Sequence, residues 1–539
     1  MKQEMKTFPN RQLKSSLNDT KTWLFFAAVI LALWHGVLTH RIETTNNLLI
    51  TALFWLVALF LLWKKRDKIA VSPQPLASMM GLLILGWALF RGTSVFWFEN
   101  LFVQLLPMIG FFAIALMSSG WKRLSLYFPS LFTLLTYSVL GSLIELFLKS
   151  TPGGFNFSQL TAQTSSFLLH YIGFNIINEG VHIYVNQESV KVLYFCTGGP
   201  LISLLFQLTL VLVLVNPISW HLFWKLSLSI VGIGFFLGVI RVALLAVLVS
   251  NQAAFDFWHG NEGNQIFSLI AFLIWIIAIN FIYEKDENHQ GSPLLSWEEN
   301  PTRKQGDVLD NSVRTLSLTS PRSWLLPLTG ITIAGVTAAT IMMPQIGRRE
   351  IPPLQFPSQI TLAGWDQQNS LPLVNHPERK FQQDGLRSGQ QYQYRQQENQ
   401  VTVALRFSSP TVGRIEKYIK QTYEQGVAKA YQQGSTKYLP NLGHYRLFTN
   451  QDKAYLSTCL TPSGESTVDF QNYIKKANRK IFEWESLIPR LLGQQSLRER
   501  RCLWVNLSTS LNNQSPENSY RRLESVFKQG YSKWQGLFD

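Results

Sequence analysis

LSLSIVGIGFFLGVIRVALLAVLVS, residues 226–250, is apolar along nearly its whole length and carries one charged side chain, Arg241. A helix rises about 1.5 Å per residue, so this stretch outreaches the roughly 30 Å hydrocarbon core of a bilayer. It reads as a membrane span. Eight further runs of this kind lie near 22–39, 47–63, 76–92, 101–118, 126–148, 199–216, 265–283 and 324–343. The first is no cleavable signal peptide, since no small-residue cleavage site follows it and more spans come after. The expected fold is a polytopic α-helical membrane protein of about eight spans. A ninth span would anchor a C-terminal α+β domain outside the cytoplasm.

Orientation follows from the basic residues of the short loops, which stay on the cytoplasmic side. The N-terminal tail contains Lys2, Lys6, Arg11 and Lys14 and is expected inside. Counting spans then leaves Lys64-Lys65-Arg66, Lys122-Arg123 and loop 217–225 inside as well. Residues 149–198, 251–264 and everything after 344 fall outside. The expected location is therefore the plasma (inner) membrane, with the lipid bilayer as solvent for most of the first 285 residues.

The domains expected are a cytoplasmic tail (1–20), a transmembrane domain (21–285), a polar, proline-containing cytoplasmic linker (286–322), the ninth helix (323–344) and an outer domain (345–539). Within loop 149–198, FSQLTAQTSSFLLHYIGF suggests a helix lying in the interface, and VHIYV and SVKVLYF suggest a hairpin. In the outer domain, strands are expected at 401–407, 453–460 and 502–508, and amphipathic helices at 414–433 and 519–538. Residues 346–539 hold 26 Lys/Arg against 16 Asp/Glu, so most of the chain's +15 charge lies there. That charge suits anionic lipid or acidic protein segments. Nucleic acid is not an expected partner, because no recognition motif accompanies the charge.

Three reactive side chains stand where such groups are costly: Cys196 in FCTGGP, Arg241 in GVIRVALL and His259 in FWHGNEG. All three fall at the outer face. Pro200 suits the first turn of a helix, which would place Cys196 just before a helix N-terminus whose positive end favours a thiolate. Gly198 and Gly199 would let a substrate carbonyl approach the backbone. A guanidinium at depth costs at least about 2.5–3.5 kcal/mol, so Arg241 needs either a task or a partner, for which Glu145 in LIELFLKS is the obvious acid. His259 can exchange protons near neutral pH. His170 and His182 share its face, and His35 and His40 are weaker rivals. A thiol, an imidazole and a cation together suit acyl transfer. No HExxH or CxxC spacing supports a metal, and no cofactor is implied. Cys459 and Cys502 lie in the outer domain, where an oxidising compartment permits a bridge that would leave Cys196 unpaired.

FCTGGP before one span, an arginine inside the next and WHGNEG at the start of the one after resemble the exosortase family of membrane-embedded cysteine transpeptidases. The resemblance covers about residues 20–285, and WHGNEGNQIFSLIAF looks most like the cyanobacterial branch, the cyanoexosortases. It implies that Cys196 is the nucleophile, Arg241 the transition-state stabiliser and His259 the proton-transfer residue. It also implies substrates that are exported proteins ending in a Pro-Glu-Pro motif, an apolar helix and a basic tail (the PEP-CTERM signal). One position departs from the family: many members have Asn three residues before the arginine, where this chain has Gly238. FPSQITLAGW (356–365) resembles the start of an extracytoplasmic protein that accompanies, or is fused to, exosortases. Two other classes fit the bare residues: a transporter with Arg241 in an anion site, and a non-catalytic scaffold for envelope export.

Overall fold

The computed structural model describes residues 20–286 and 324–538, apart from 43–44, 70–73, 97–99, 150–155, 186–187, 217, 344, 348, 350, 374–384, 412, 480–483, 497–498 and 512–514. The expected tail 1–20 and linker 286–322 fall almost wholly outside the described residues. Two compact units result: Met1–Gly92 with Asn100–Ile346, and Thr93–Glu99 with Gly347–Asp539.

The first unit is helical. Its elements are α1 (Thr20–Ile42), α2 (Thr45–Lys64), α3 (Pro75–Gly92), α4 (Asn100–Ser119), α5 (Phe128–Leu135) and α6 (Gly141–Lys149). They continue with α7 (Phe157–Ile172), a three-stranded sheet, α8 (Gly199–Val215), α9 (Trp220–Val247), α10 (Gln252–His259), α11 (Asn261–Asp286) and α12 (Leu325–Met342). Among the described residues, seven helical segments are long and apolar enough to cross a membrane, with two shorter apolar ones at Leu48–Lys64 and Gly199–Val215. All nine coincide with the runs read from the sequence. The protein is a multi-pass membrane protein. The fifth span, Trp121–Leu148, joins α5 to α6 through one π-helical turn, Thr136–Leu140. The last helix, α12, packs on α1: Trp34 Nε1 donates to Thr340 Oγ1 at 3.3 Å, and Arg41 donates to the Thr340 and Ile346 carbonyls. The ninth helix is therefore part of the bundle, where the sequence suggested a separate anchor.

The predicted interfacial helix is α7, capped by Asn156, whose side chain accepts from Ser158 N and Gln159 N. The predicted hairpin is β2 (His182–Val185) paired with β3 (Glu188–Lys191); a strand missed in the sequence, β1 (Ile176–Glu179), completes the sheet on the other side of β2. Four-residue strands are too short for their alternation to stand out.

Glycines bring α8 and α9 into backbone contact. A Cβ built on Gly198 would stand 1.8 Å from the Gly234 carbonyl oxygen, and one on Gly238 would stand 2.1 Å from Gly198 N. Gly234 and Gly238 form a GxxxG pair, the spacing that lets membrane helices approach most closely. The GFFLG stretch in α9 thus receives the first turn of α8, and no side chain fits at 238.

The second unit holds a seven-stranded antiparallel sheet in the order β4 (Asp366–Pro372), β5 (Leu386–Gln396), β6 (Asn399–Ser408), β10 (Cys502–Ser510), β9 (Lys453–Leu460), β8 (Gly443–Asn450) and β7 (Ser435–Leu439). Alternate residues feed two cores, as the period of a strand requires. Val401, Val403, Leu405, Leu503, Val505 and Leu507 face the helix Pro516–Gln535, while Cys459, Cys502 and Trp504 face the helices of 415–433 and 470–479. Cys459 and Cys502 are joined by a disulfide across neighbouring strands. The single helix expected at 414–433 is two, Ile415–Thr422 and Gln425–Gln433. Between them Tyr423 is extended; its ring stands 6.2 Å from that of Trp504 and its hydroxyl accepts from Asn506 Nδ2, so tertiary packing breaks the helix. Strands β4 and β5 escaped the sequence reading because they are rich in Gln and Ser, with only Tyr392 and Tyr394 of β5 fully buried in the core.

The glycine contact makes a prediction. Gly238→Ala forces a methyl group onto backbone that cannot rotate away, and should destabilise the bundle by about 1–3 kcal/mol or more. Gly232, with nothing within 4 Å of its Cβ position, is the control. Thermal unfolding in detergent should show a lowered Tm for Gly238→Ala and an unchanged one for Gly232→Ala.

Candidate active site

The sheet β1–β3 delivers the chain to Cys196. Val192 N donates to the Val181 carbonyl at 2.8 Å, and Tyr194–Cys196 then form a 3₁₀ turn. Thr197 closes this turn: its hydroxyl donates to the Tyr194 carbonyl at 2.7 Å and accepts from Gly199 N at 3.2 Å. Pro200 sits in the first turn of α8, as its missing N–H allows. Cys196 is buried at 6% exposure among Ile183, Val185, Val192, Val242 and Ala246, residues of the sheet and α9. It is the free cysteine of the chain's three.

His259 ends α10 and stacks on Phe255, with ring centroids 5.3 Å apart at 17°. The turn into α11 is tight: a Cβ on Gly263 would stand 2.3 Å from the Trp258 carbonyl oxygen. That corner returns His259 to Cys196, 63 residues earlier, with 3.7 Å between Nδ1 and Sγ. This is hydrogen-bonding range for sulfur.

Arg241 is 4% exposed on α9. Its Nη1 donates to Asn264 Oδ1 at 3.1 Å and its Nη2 to the His259 carbonyl at 3.4 Å, with the ring of Phe267 5.8 Å from Cζ. Its Nε is buried and makes no hydrogen bond. Glu145, the acid expected to pair with it, is not among these partners. That carboxylate instead lines a cavity of about 1040 Å³ along with Tyr194, Gln207 and Asn264. Burial, reinforced by Glu145, holds the Tyr194 phenol well above its usual range.

Gly198 and Gly199 are closely packed on the side where a Cβ would stand. The Gly234 carbonyl occupies the position beside the first, and the Tyr194 ring stands 2.4 Å from a Cβ on the second. They serve helix packing. The rival histidines are elsewhere. His170 ends α7 beside Tyr171, and His182 lies on β2 beside Tyr184. His35 is buried in the bundle, where Nδ1 accepts from Trp55 Nε1 at 3.1 Å and Nε2 therefore donates to the Val103 carbonyl at 2.9 Å. His40 lines a second, apolar cavity between α1 and α2. Among the described residues, no three His, Cys, Asp or Glu side chains are grouped to hold a metal. Asn264 was not picked out in the sequence, although a polar residue at the start of an apolar span was a visible signal.

The electrostatics favour a neutral pair. Burial pushes the Cys196 thiol above its ordinary 9.0, against the pull of Arg241 and of a backbone hydrogen bond at Leu193. Burial and then Arg241 push the His259 imidazole below its ordinary 6.5, while Asp256 draws it upward. At pH 7 the thiol keeps its proton and the imidazole is uncharged.

A family model, Transmembrane exosortase (Exosortase_EpsH), matches residues 42–276. Over those residues the chain is similar to the exosortase family. The matched segment runs from the end of α1 through most of α11 and includes Cys196, Arg241 and His259. No curated protein and no solved structure matches the chain.

If His259 must be neutral to accept the proton, processing of substrate should fall as acid protonates the imidazole, with a midpoint below pH 6.5. Removing the upward pull in Asp256→Asn should move that midpoint lower still. The rate of processing against pH, in membranes, checks both.

Proposed function

We propose that this chain is an exosortase, a cysteine transpeptidase or peptidase that cleaves the C-terminal sorting signal of exported proteins at the outer face of the plasma membrane. The observation that carries the reading is the 3.7 Å contact between Cys196 and His259, with Arg241 bonded to the His259 backbone. His259 Nδ1 takes the thiol proton as sulfur attacks the peptide carbonyl. The tetrahedral oxyanion is stabilised by Arg241, whose unpartnered Nε is the donor available to it. The imidazolium then returns the proton to the leaving amine, and an amine acceptor or water resolves the thioester. Thr197 uses the Gly199 N–H, so the side-chain cation carries the greater share of this stabilisation.

The substrates we assign are proteins ending in Pro-Glu-Pro, an apolar helix and a basic cluster, and we assign the enzyme to the cyanobacterial branch on the resemblance of WHGNEGNQIFSLIAF. Residues 346–539 would be the exosortase-associated domain, guiding or retaining substrate through their net positive charge. FPSQITLAGW belongs to that unit's core: Tyr392 donates to the Pro357 carbonyl and Tyr394 to the Ile360 carbonyl.

Cys196→Ala should reduce processing of such a substrate by more than about a thousandfold, at normal enzyme levels, since the chain's free thiol is lost. Full-length substrate accumulating in membranes is the readout, and near-normal processing would sink the mechanism. Arg241→Lys should lose at least about a hundredfold, because an ammonium cannot hold Asn264, the His259 carbonyl and an oxyanion from one plane. Recovery of most activity by Lys would reduce Arg241 to a source of field alone.

A further inference from the structure

We infer that Asn264 is a positioning residue, which fixes the Arg241 guanidinium in place without neutralising it; this rests on the catalytic reading of Cys196 and Arg241 given above. A guanidinium buried in a membrane protein pairs with a carboxylate or with backbone carbonyls. Arg241 takes the neutral course. Its two side-chain bonds go to an amide oxygen and a backbone carbonyl, and the ring nearby is phenylalanine. Every one of these partners is neutral. The full positive charge therefore remains available to the Cys196 sulfur and to an oxyanion formed beside it.

The geometry assigns the amide its task. Asn264 Oδ1 holds Nη1 and the His259 carbonyl holds Nη2, two points that define the plane of the fork and leave Nε as the open donor. Asn264 stands in the first turn of α11, and its backbone N–H donates to the Gly260 carbonyl at 3.2 Å. The amide is thus tied to the same corner that sets His259. The histidine and the holder of the arginine share one turn, while the arginine itself comes from α9. An aspartate at 264 would have nearly the same shape and would accept the same hydrogen bond more strongly. It would also cancel the charge. If Asn264 served stability alone, aspartate would do as well or better, so that substitution separates the two roles.

The test uses the full-length enzyme in membranes and the variants Asn264→Asp, Asn264→Gln and Asn264→Ala. One readout is processing of a reporter ending in Pro-Glu-Pro, an apolar helix and a basic cluster. The other is the pH dependence of Cys196 alkylation by iodoacetamide, which needs no substrate; Arg241 and His259 are the groups that face the thiol. We expect Asn264→Asp to slow processing by at least about tenfold and to raise the alkylation midpoint by about one pH unit. Asn264→Gln, a neutral acceptor, should keep most activity. Wild-type processing and an unmoved midpoint in Asn264→Asp would overturn the inference. Should Asn264→Asp fail to accumulate, Gln against Ala decides: Gln several-fold faster supports the role, and equal rates overturn it. Cys196→Ala is run in parallel. If it processes the reporter normally, the catalytic reading and this inference fall together; if it is inactive while Asn264→Asp behaves as wild type, only the role of Asn264 falls.

Discussion

The approach of two backbones, where the first turn of α8 meets the middle of α9, is the contact on which the rest of the membrane unit depends. Gly198 on one side and Gly234 and Gly238 on the other leave no room for a side chain. In a bilayer, lipid tails are as apolar as leucine, so helices gain little from hiding apolar surface and must be held by close packing. Here that packing also fixes the chemistry. Cys196 lies two residues before Gly198 and Arg241 three residues after Gly238. Bringing the glycines together therefore brings the thiol and the guanidinium together.

The same contact rules out a side chain at 238. An asparagine at 238 would collide with the backbone at 197–198. The amide that bonds Arg241 is that of Asn264, on the following span. A polar partner for a buried cation is required by the cost of leaving its donors unmade.

Burial has opposite effects on the two members of the proton-transfer pair. It raises the thiol and lowers the imidazole, so that both are uncharged at rest. A pair of this kind avoids the expense of two charges in a poorly solvated place and develops charge only as the reaction proceeds. Arg241, already charged and held by neutral groups, would stabilise that charge under the proposed mechanism.

The sequence alone determined the nine apolar spans, the α+β character of the C-terminal unit and the hairpin leading to Cys196, because hydrophobic period and length act locally. It also singled out Cys196, Arg241 and His259, since reactive side chains in apolar surroundings are conspicuous without a structure. Tertiary structure decided the remainder. Whether Glu145 or Asn264 partners Arg241 depends on which face of one helix meets another. A loop glycine that seems to make room for substrate proves to make room for a helix, as at Gly198, only when the neighbouring span is in place. The break at Tyr423 and the Gln-rich strands of the outer sheet have the same origin: what a strand or helix does there is set by cross-strand partners and core rings distant in the chain, to which local pattern is blind.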